Sequence, residues 1–310
     1  MATAQPGIFA QGTRSHYQLE LVRRPGAGRD EIAAALRGLR ESPVTAGGVN
    51  LVVAFGPDLW RELSAPHAVP DDLAAFTAID GLDGHHAPST QRDLWVWMHG
   101  TGEDIALDTA RAVAAALTPV AEVVLEQSCF VYKDSRDLTG FVDGTANPKA
   151  EEAHDVACVP DGLPGAGGSH VITQRWIHDL GAFHALPVEQ QQAVIGRTKP
   201  DSIELEGDAK PPTAHIARVE LHDDEGEEIP IYRRSTPYGT VGEHGLYFLG
   251  FSAERARFDL MLSRMFGVGP GADGRRDHLL DFTVPVTGSY FFAPSLDALN
   301  DLIGPPDDGS

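Results

Sequence analysis

Four short stretches of the sequence carry side chains suited to acid–base or ligand chemistry. GFVDGTANP (140–148) holds a single acid, Asp143, between glycines, so the backbone can bend close to something bulky beside that carboxylate. Alone, such an aspartate is most simply a turn residue bonded to its own backbone. PPTAHIARVEL (211–221) contains His215, and an extended reading puts Ala217, Val219 and Leu221 on its face. A core-facing histidine is more often satisfied by a hydrogen bond than bound to a metal. IPIYRRSTPYG (229–239) brings Arg233, Arg234 and Ser235 to the end of a short extended segment, where paired arginines are usually solvated. RRDHLLDF (275–282) places Asp277 and Asp281 in a helical or turn setting before the last strand. One by one, each has an ordinary structural explanation.

The elements that must hold these residues come in a repeated order. HYQLELV (16–22) alternates like a half-buried strand, DEIAAALRGLRE follows as a helix with Asp30 as its N-cap, and VNLVVAF and DLWVWMH are strands. DIALDTARAVAAALTPV has helical spacing, and AEVVLEQ closes the unit as a strand. The order β-α-β-β-α-β is ferredoxin-like. SHVITQRWIH, the helix PVEQQQAVIG with Pro187 in its first turn, an extended AHIARVEL, the strand HGLYFLGF, the helix SAERARFDLMLSRMF capped by Ser252, and GSYFFAP repeat it. The fold class is therefore α+β, with two ferredoxin-like halves, 1–145 and 146–310, whose antiparallel sheets meet and leave a pocket between them. The Gly/Pro-rich loop PDGLPGAGGS (160–169) marks the passage between the halves, with GFVDGTANP at the seam. The tail PPDDGS reads as disordered.

Composition narrows the function. A chain of 310 residues with 42% hydrophobic and 22% charged residues suits one large soluble domain or two medium ones. No run approaches the ~18 apolar residues of a membrane span. The N-terminal stretch has neither a basic region ahead of an apolar one nor a twin-arginine pair, which reads as cytoplasmic. Cys129 and Cys158 form no metal pair and read as buried thiols. The formal charge of -21 opposes nucleic acid and anionic lipid, so neither is an expected partner, and it makes a cation held inside a pocket notable.

In this order the motifs resemble the dye-decolorizing peroxidases, specifically the non-secreted B-type group. The resemblance runs over nearly the whole chain, from QPGIF through FGPDLW, GFVDGTANP, GSHVITQRWIHDL, IGRTK, AHIARV and LYFLGFSA to VTGSYFFAPS. It carries the family's G-x-x-D-G signature as Gly140, Phe141, Val142, Asp143 and Gly144. It implies a duplicated ferredoxin-like, barrel-like and dimer-like arrangement with haem b in the C-terminal half. His215 is the implied iron ligand, with Asp277, rather than Asp281, accepting its other N–H and raising its basicity. Asp143 is implied as the proton shuttle on the opposite face, and Arg233 as the charge stabiliser and a propionate contact. Ser235 stands at the distal position where some B-type members have asparagine. Gly144, Thr145, Leu249 and Phe251 are implied cofactor contacts.

The implied activity is reduction of hydrogen peroxide through a ferryl intermediate, with one-electron oxidation of small organic reductants and dyes. Trp60, Trp95, Trp97, Trp176 and the six tyrosines offer routes for electrons, although most fit plain packing. Homo-oligomeric assembly is expected. The alternatives are a haem-binding or haem-handling protein with incidental peroxidase activity, cargo of a nanocompartment shell, and a haem-free ferredoxin-like binding module.

Overall fold

A computed structural model of the chain describes residues 2–41, 48–222 and 225–304. The PPDDGS tail lies outside the described residues.

The N-terminal half runs β1 (Ser15–Arg23), α1 (Arg29–Glu41), β2 (Asn50–Phe55), α2 (Pro57–Leu63), the two-residue pair β3 (Ile79–Asp80) and β4 (His86–Ala87), β5 (Leu94–Gly100), α3 (Glu103–Leu117) and β6 (Ala121–Phe130). The C-terminal half runs α4 (Ala153–Ala157), β7 (Ser169–His178), α5 (Leu180–Ala185), α6 (Val188–Ile195), α7 (His215–Val219), β8 (Tyr232–Arg233), β9 (Thr236–Gly239), β10 (His244–Ser252), α8 (Ala256–Phe266), β11 (Thr283–Pro285), β12 (Ser289–Ala293) and α9 (Leu296–Ile303). The strands of the first half lie in the order β6-β1-β5-β2 and those of the second in the order β12-β7-β10-β8. Numbered within each half, both read 4-1-3-2, so the duplication is one of topology as well as of element order.

The halves do not stack as separate sheets. The Phe55–Phe292 pairing of β2 with β12 joins them into a 10-stranded sheet. The inner faces of both halves meet in one core, where Trp95, Trp97, Tyr247, Leu249, Phe251 and Phe291 are fully buried. Those large rings fill the centre of the interface between the sheets, and the expected pocket between the halves survives at its edge as a cavity of about 430 Å³ lined by Arg14 and His16 of the first half and by Arg234 and Thr236 of the second. The outer face of the N-terminal sheet is covered by α1 and α3 through Ile32, Leu36, Ala106, Val113 and Leu117. The cavity that matters lies instead on the outer face of the C-terminal sheet, under short helices.

Four local expectations are corrected. AHIARVEL is not a strand: residues 215–219 form the one-turn helix α7, because Ala214 caps it in an extended conformation and its carbonyl accepts from Arg218 N at 3.1 Å. Five residues of mixed polarity satisfy either period, and the true second strand of this half is the short β8. Asp30 lies within the first turn of α1 instead of capping it, and Pro187 is the N-cap of α6. Ser252 turns its Oγ back onto residue 254, and α8 begins only at Ala256. Cys129 and Cys158 are buried free thiols, both pushed up to about 12 by burial. No helix among the described residues is long and apolar enough to cross a membrane.

Candidate active site

Helix α7 sets His215 and Val219 four residues apart on one face, and both line the cavity. The turn is pinned from behind by Arg218, which is buried and reaches Asp273 at 3.0 Å and the Pro212 carbonyl at 3.1 Å. His215 Nδ1 lies 2.6 Å from Asp277 Oδ2, and Asp277 is fully buried. The other Asp277 oxygen accepts from Leu279 N at 2.8 Å, so the carboxylate is fixed as the cap of the turn 278–281. A carboxylate opposite Nδ1 makes that nitrogen the donor and leaves Nε2 with its lone pair toward the cavity. Asp281 is elsewhere, paired with Arg276 at 2.7 Å and with His85 at 3.6 Å.

The Asp143 loop is held by its glycines and by an acid upstream. Gly140 and Gly144 have φ of 90° and 79°, values that a side chain would strain. Asp143 Oδ1 accepts from Gly144 N at 2.7 Å, so the turn-type bond expected of a lone aspartate is present and leaves the second oxygen for the cavity. Asp137 organises the preceding turn by accepting from Thr139 N and Oγ1, and it meets His178 Nε2 at 3.2 Å. Burial alone would raise Asp137, but the His178 and Thr139 hydrogen bonds outweigh it and hold the carboxyl at about 2. Asp143 goes the other way: burial and the nearby Asp137 charge raise it, against the pull of Arg233, the Gly144 N–H and His215.

The two arginines of IPIYRRSTPYG part company. Arg233 is fixed by one side chain, because Asn147 Oδ1 accepts from its N–H at 2.9 Å and Asn147 Nδ2 donates to its carbonyl at 2.7 Å. Its guanidinium joins Asp143 at the cavity. Arg234 points away, donating to the Ile8 and Ala10 carbonyls and lying 5.1 Å over the Trp97 ring. Ser235 lines the cavity and its Oγ accepts from Leu249 N at 3.3 Å.

The cavity is a slot between two walls. The helical wall carries His215, Val219, Met261 and Met265; the sheet wall carries Gln174, Trp176, Leu246, Phe248, Arg233 and Ser235, with Asp143 at its rim. Its two lobes each have a cavity volume of about 100 Å³. Gly144 and Thr145 line the first lobe, as does Arg197 near the mouth. A polar cavity lined by Arg14, Arg136 and Arg234 adjoins at Asp143, Gly144, Arg233 and Ser235.

Thus His215, Asp277, Asp143, Arg233, Ser235, Gly144 and Thr145 come together, with Asp277 reaching the cavity through His215. Leu249 and Phe251 do not. Strand alternation turns them into the inner core, and their neighbours Leu246 and Phe248 take the cavity face. Sequence reasoning also passed over Asn147, Arg197 and Gln174, although GFVDGTANP, IGRTK and GSHVITQRWIHDL contain them. The apolar walls, the exposed imidazole face and the convergent polar groups fit a flat, largely apolar cofactor with a metal centre.

Fold and site define a duplicated ferredoxin-like α+β protein with a histidine-lined cavity in its second half. Residues 42–131 match the family "Dyp-type peroxidase, N-terminal" and residues 134–298 match "Dyp-type peroxidase, C-terminal". The dye-decolorizing peroxidase of Rhodococcus erythropolis is 40% identical over 284 residues, covering 89% of this chain and 81% of that protein. A variant of DypB from Rhodococcus jostii, solved in complex with heme, superposes with a TM-score of 0.87 at 36% identity, covering 94% of this chain and 96% of that one. The encapsulated DyP-type peroxidase from Mycobacterium smegmatis gives 0.89 at 32% identity and covers 99% of both chains. The chain belongs to the Dyp-type peroxidase family.

Proposed function

We propose that this chain is a haem b peroxidase that reduces hydrogen peroxide to water and oxidises small organic donors, dyes among them, in one-electron steps. The observation that carries the proposal is a histidine–carboxylate pair, 2.6 Å apart, facing the same slot as an acid and an arginine on the opposite wall. When bound, the haem supplies the redox centre at which the O–O bond is cleaved. His215 Nε2 would hold it, and Asp277 keeps the ring oriented and electron-rich. Arg233 on the sheet wall is the cation available to acidic substituents of the macrocycle, while Arg197, which also lines the cavity, is already paired with Glu204 and Glu220 at 3.4 Å each.

On the sheet wall, Asp143 takes a proton from one peroxide oxygen at the carboxylate oxygen not bonded to Gly144, then returns it to the departing oxygen. Arg233 keeps its proton throughout and stabilises the negative charge on the leaving oxygen. Storage of haem would require neither residue, which argues against a purely haem-handling role. A homo-oligomeric, cytoplasmic protein completes the proposal. The encapsulated relative supports shell packaging as an alternative assembly, which co-purification with a shell protein would test.

Rapid mixing of the haem-loaded protein with peroxide, followed by an organic dye, tests the function. A fast Soret change reversed by the dye, with dye bleaching, is expected. A Soret band that peroxide leaves unaltered would reduce the protein to a haem carrier.

A further inference from the structure

Gln174 is fully buried in the middle of β7, and neither Nε2 nor Oε1 has a hydrogen-bond partner among the described residues. An amide removed from water with both ends unmade is costly, and native proteins seldom leave one without a purpose. Strand alternation shows where it points. Thr173 and Arg175 turn to the inner face, bonding Glu20 at 3.1 Å and Gln127 at 2.9 Å. Gln174 turns the other way with Trp176 and His178, and all three line the slot. Its cross-strand partner is Phe248, which lines the slot too. Gln174 therefore stands on the wall of Arg233 and Ser235, opposite the helical wall that carries His215. Gln18 has an unpartnered amide nitrogen as well, but it faces the inner core, where its oxygen is taken by Trp95 Nε1 at 3.0 Å.

Arg233 only donates and ionised Asp143 only accepts, and Ser235 Oγ already accepts from Leu249 N, which leaves it its O–H and one lone pair. The Gln174 carboxamide adds a donor and an acceptor that no protein group takes up among the described residues. Hydrogen peroxide and water are both donor and acceptor. We infer that the Gln174 carboxamide is a hydrogen-bonding contact for the small oxygen ligand, peroxide or water, held opposite His215. A neutral amide does not titrate, so Gln174 orients the ligand while Asp143 moves the proton. The inference rests on the haem peroxidase reading.

Gln174→Met, which keeps the volume and removes the amide, tests it in two states of the protein, with Gln174→Leu as the second variant. In the haem-free protein the substitution removes an unmet polar group, so Tm should rise by about 2–4 °C. In the haem-loaded ferric protein, fluoride stands in for the oxygen ligand as an anionic hydrogen-bond acceptor. Its affinity, read from the visible spectrum, should fall roughly tenfold or more. Higher Tm with weaker fluoride binding supports the assignment. A lower Tm in both variants would show that the amide has protein partners, and unchanged fluoride affinity would show that it touches no ligand; either overturns it. Failure of the haem reading is distinguishable, because the wild-type protein would then show no Soret band.

Discussion

The two halves share the 4-1-3-2 strand order, yet they use the outer face of their sheets in opposite ways. In the N-terminal half, the β1-to-β2 connection is the single long helix α1, which with α3 fills that face with Leu36, Val113, Leu117 and their neighbours. In the C-terminal half, the equivalent β7-to-β8 connection is broken into the short helices α5, α6 and α7 and the loops between them. Short helices cannot seal a sheet, and the slot stays open with His215 on its roof and Gln174 and Arg233 on its floor. One copy of the unit closes its outer face and the other leaves a cavity there, because the same topology tolerates either a closed or an open second layer.

The sharpest break between the halves should be in rate. Arg233→Ala removes a fixed charge that water cannot replace, at a cost of about 2.7–4 kcal/mol of barrier. The stopped-flow rate of the peroxide reaction should fall on the order of 10²–10³-fold. Asp143→Ala should lose less, because a water beside Ser235 can relay the proton. A larger loss in Asp143→Ala would make the carboxylate the dominant residue and Arg233 chiefly an anchor. Conversely, Leu36→Ala in the filled half should cost about 2–5 kcal/mol of unfolding free energy and leave the peroxide rate unchanged. Chemical denaturation and stopped flow on that one variant test the division of labour.

A third expected effect is in pH. Asp143 serves as a base only when ionised, and its folded-state carboxyl is raised by burial and by Asp137. The peroxide rate should therefore rise with pH through a transition above the ordinary carboxylate range, and Asp143→Asn should lose that limb. The same shift makes ionised Asp143 a cost to folding. Relative to Asp143→Asn, the haem-free wild type should lose stability as pH rises through the raised value and stay below the variant at neutral pH. An unchanged neutral-pH Tm in the variant would contradict the burial of that charge. The smallest effect should be that of Asn147→Ala, which frees the Arg233 backbone from two hydrogen bonds and should slow the peroxide reaction roughly tenfold.

Element length made most of this fold legible, since β1, β7 and β10 run for nine or ten residues and α1 and α3 for 13 and 15. Periodicity failed at α7, where five residues carry too little pattern to separate helix from strand, and at Ser252, whose hydroxyl found a nearer partner. Motif chemistry brought His215, Asp277, Asp143 and Arg233 to one place. It could not choose between the faces of LYFLGF, because Leu246 and Phe248 differ from Leu249 and Phe251 only in which side meets the core. Nor could it single out Gln174 or Asn147, whose importance lies in what they do or do not bond in three dimensions.

The central claim is that the open slot of the C-terminal half takes haem on His215. The visible spectrum of haem-reconstituted His215→Gly, with and without added imidazole, tests it most directly. The account predicts that the five-coordinate histidine spectrum of the wild type is lost and that imidazole, entering the space left by the ring, restores it. A His215→Gly protein that keeps the wild-type spectrum without imidazole would place the iron on another of the 13 histidines and contradict the account.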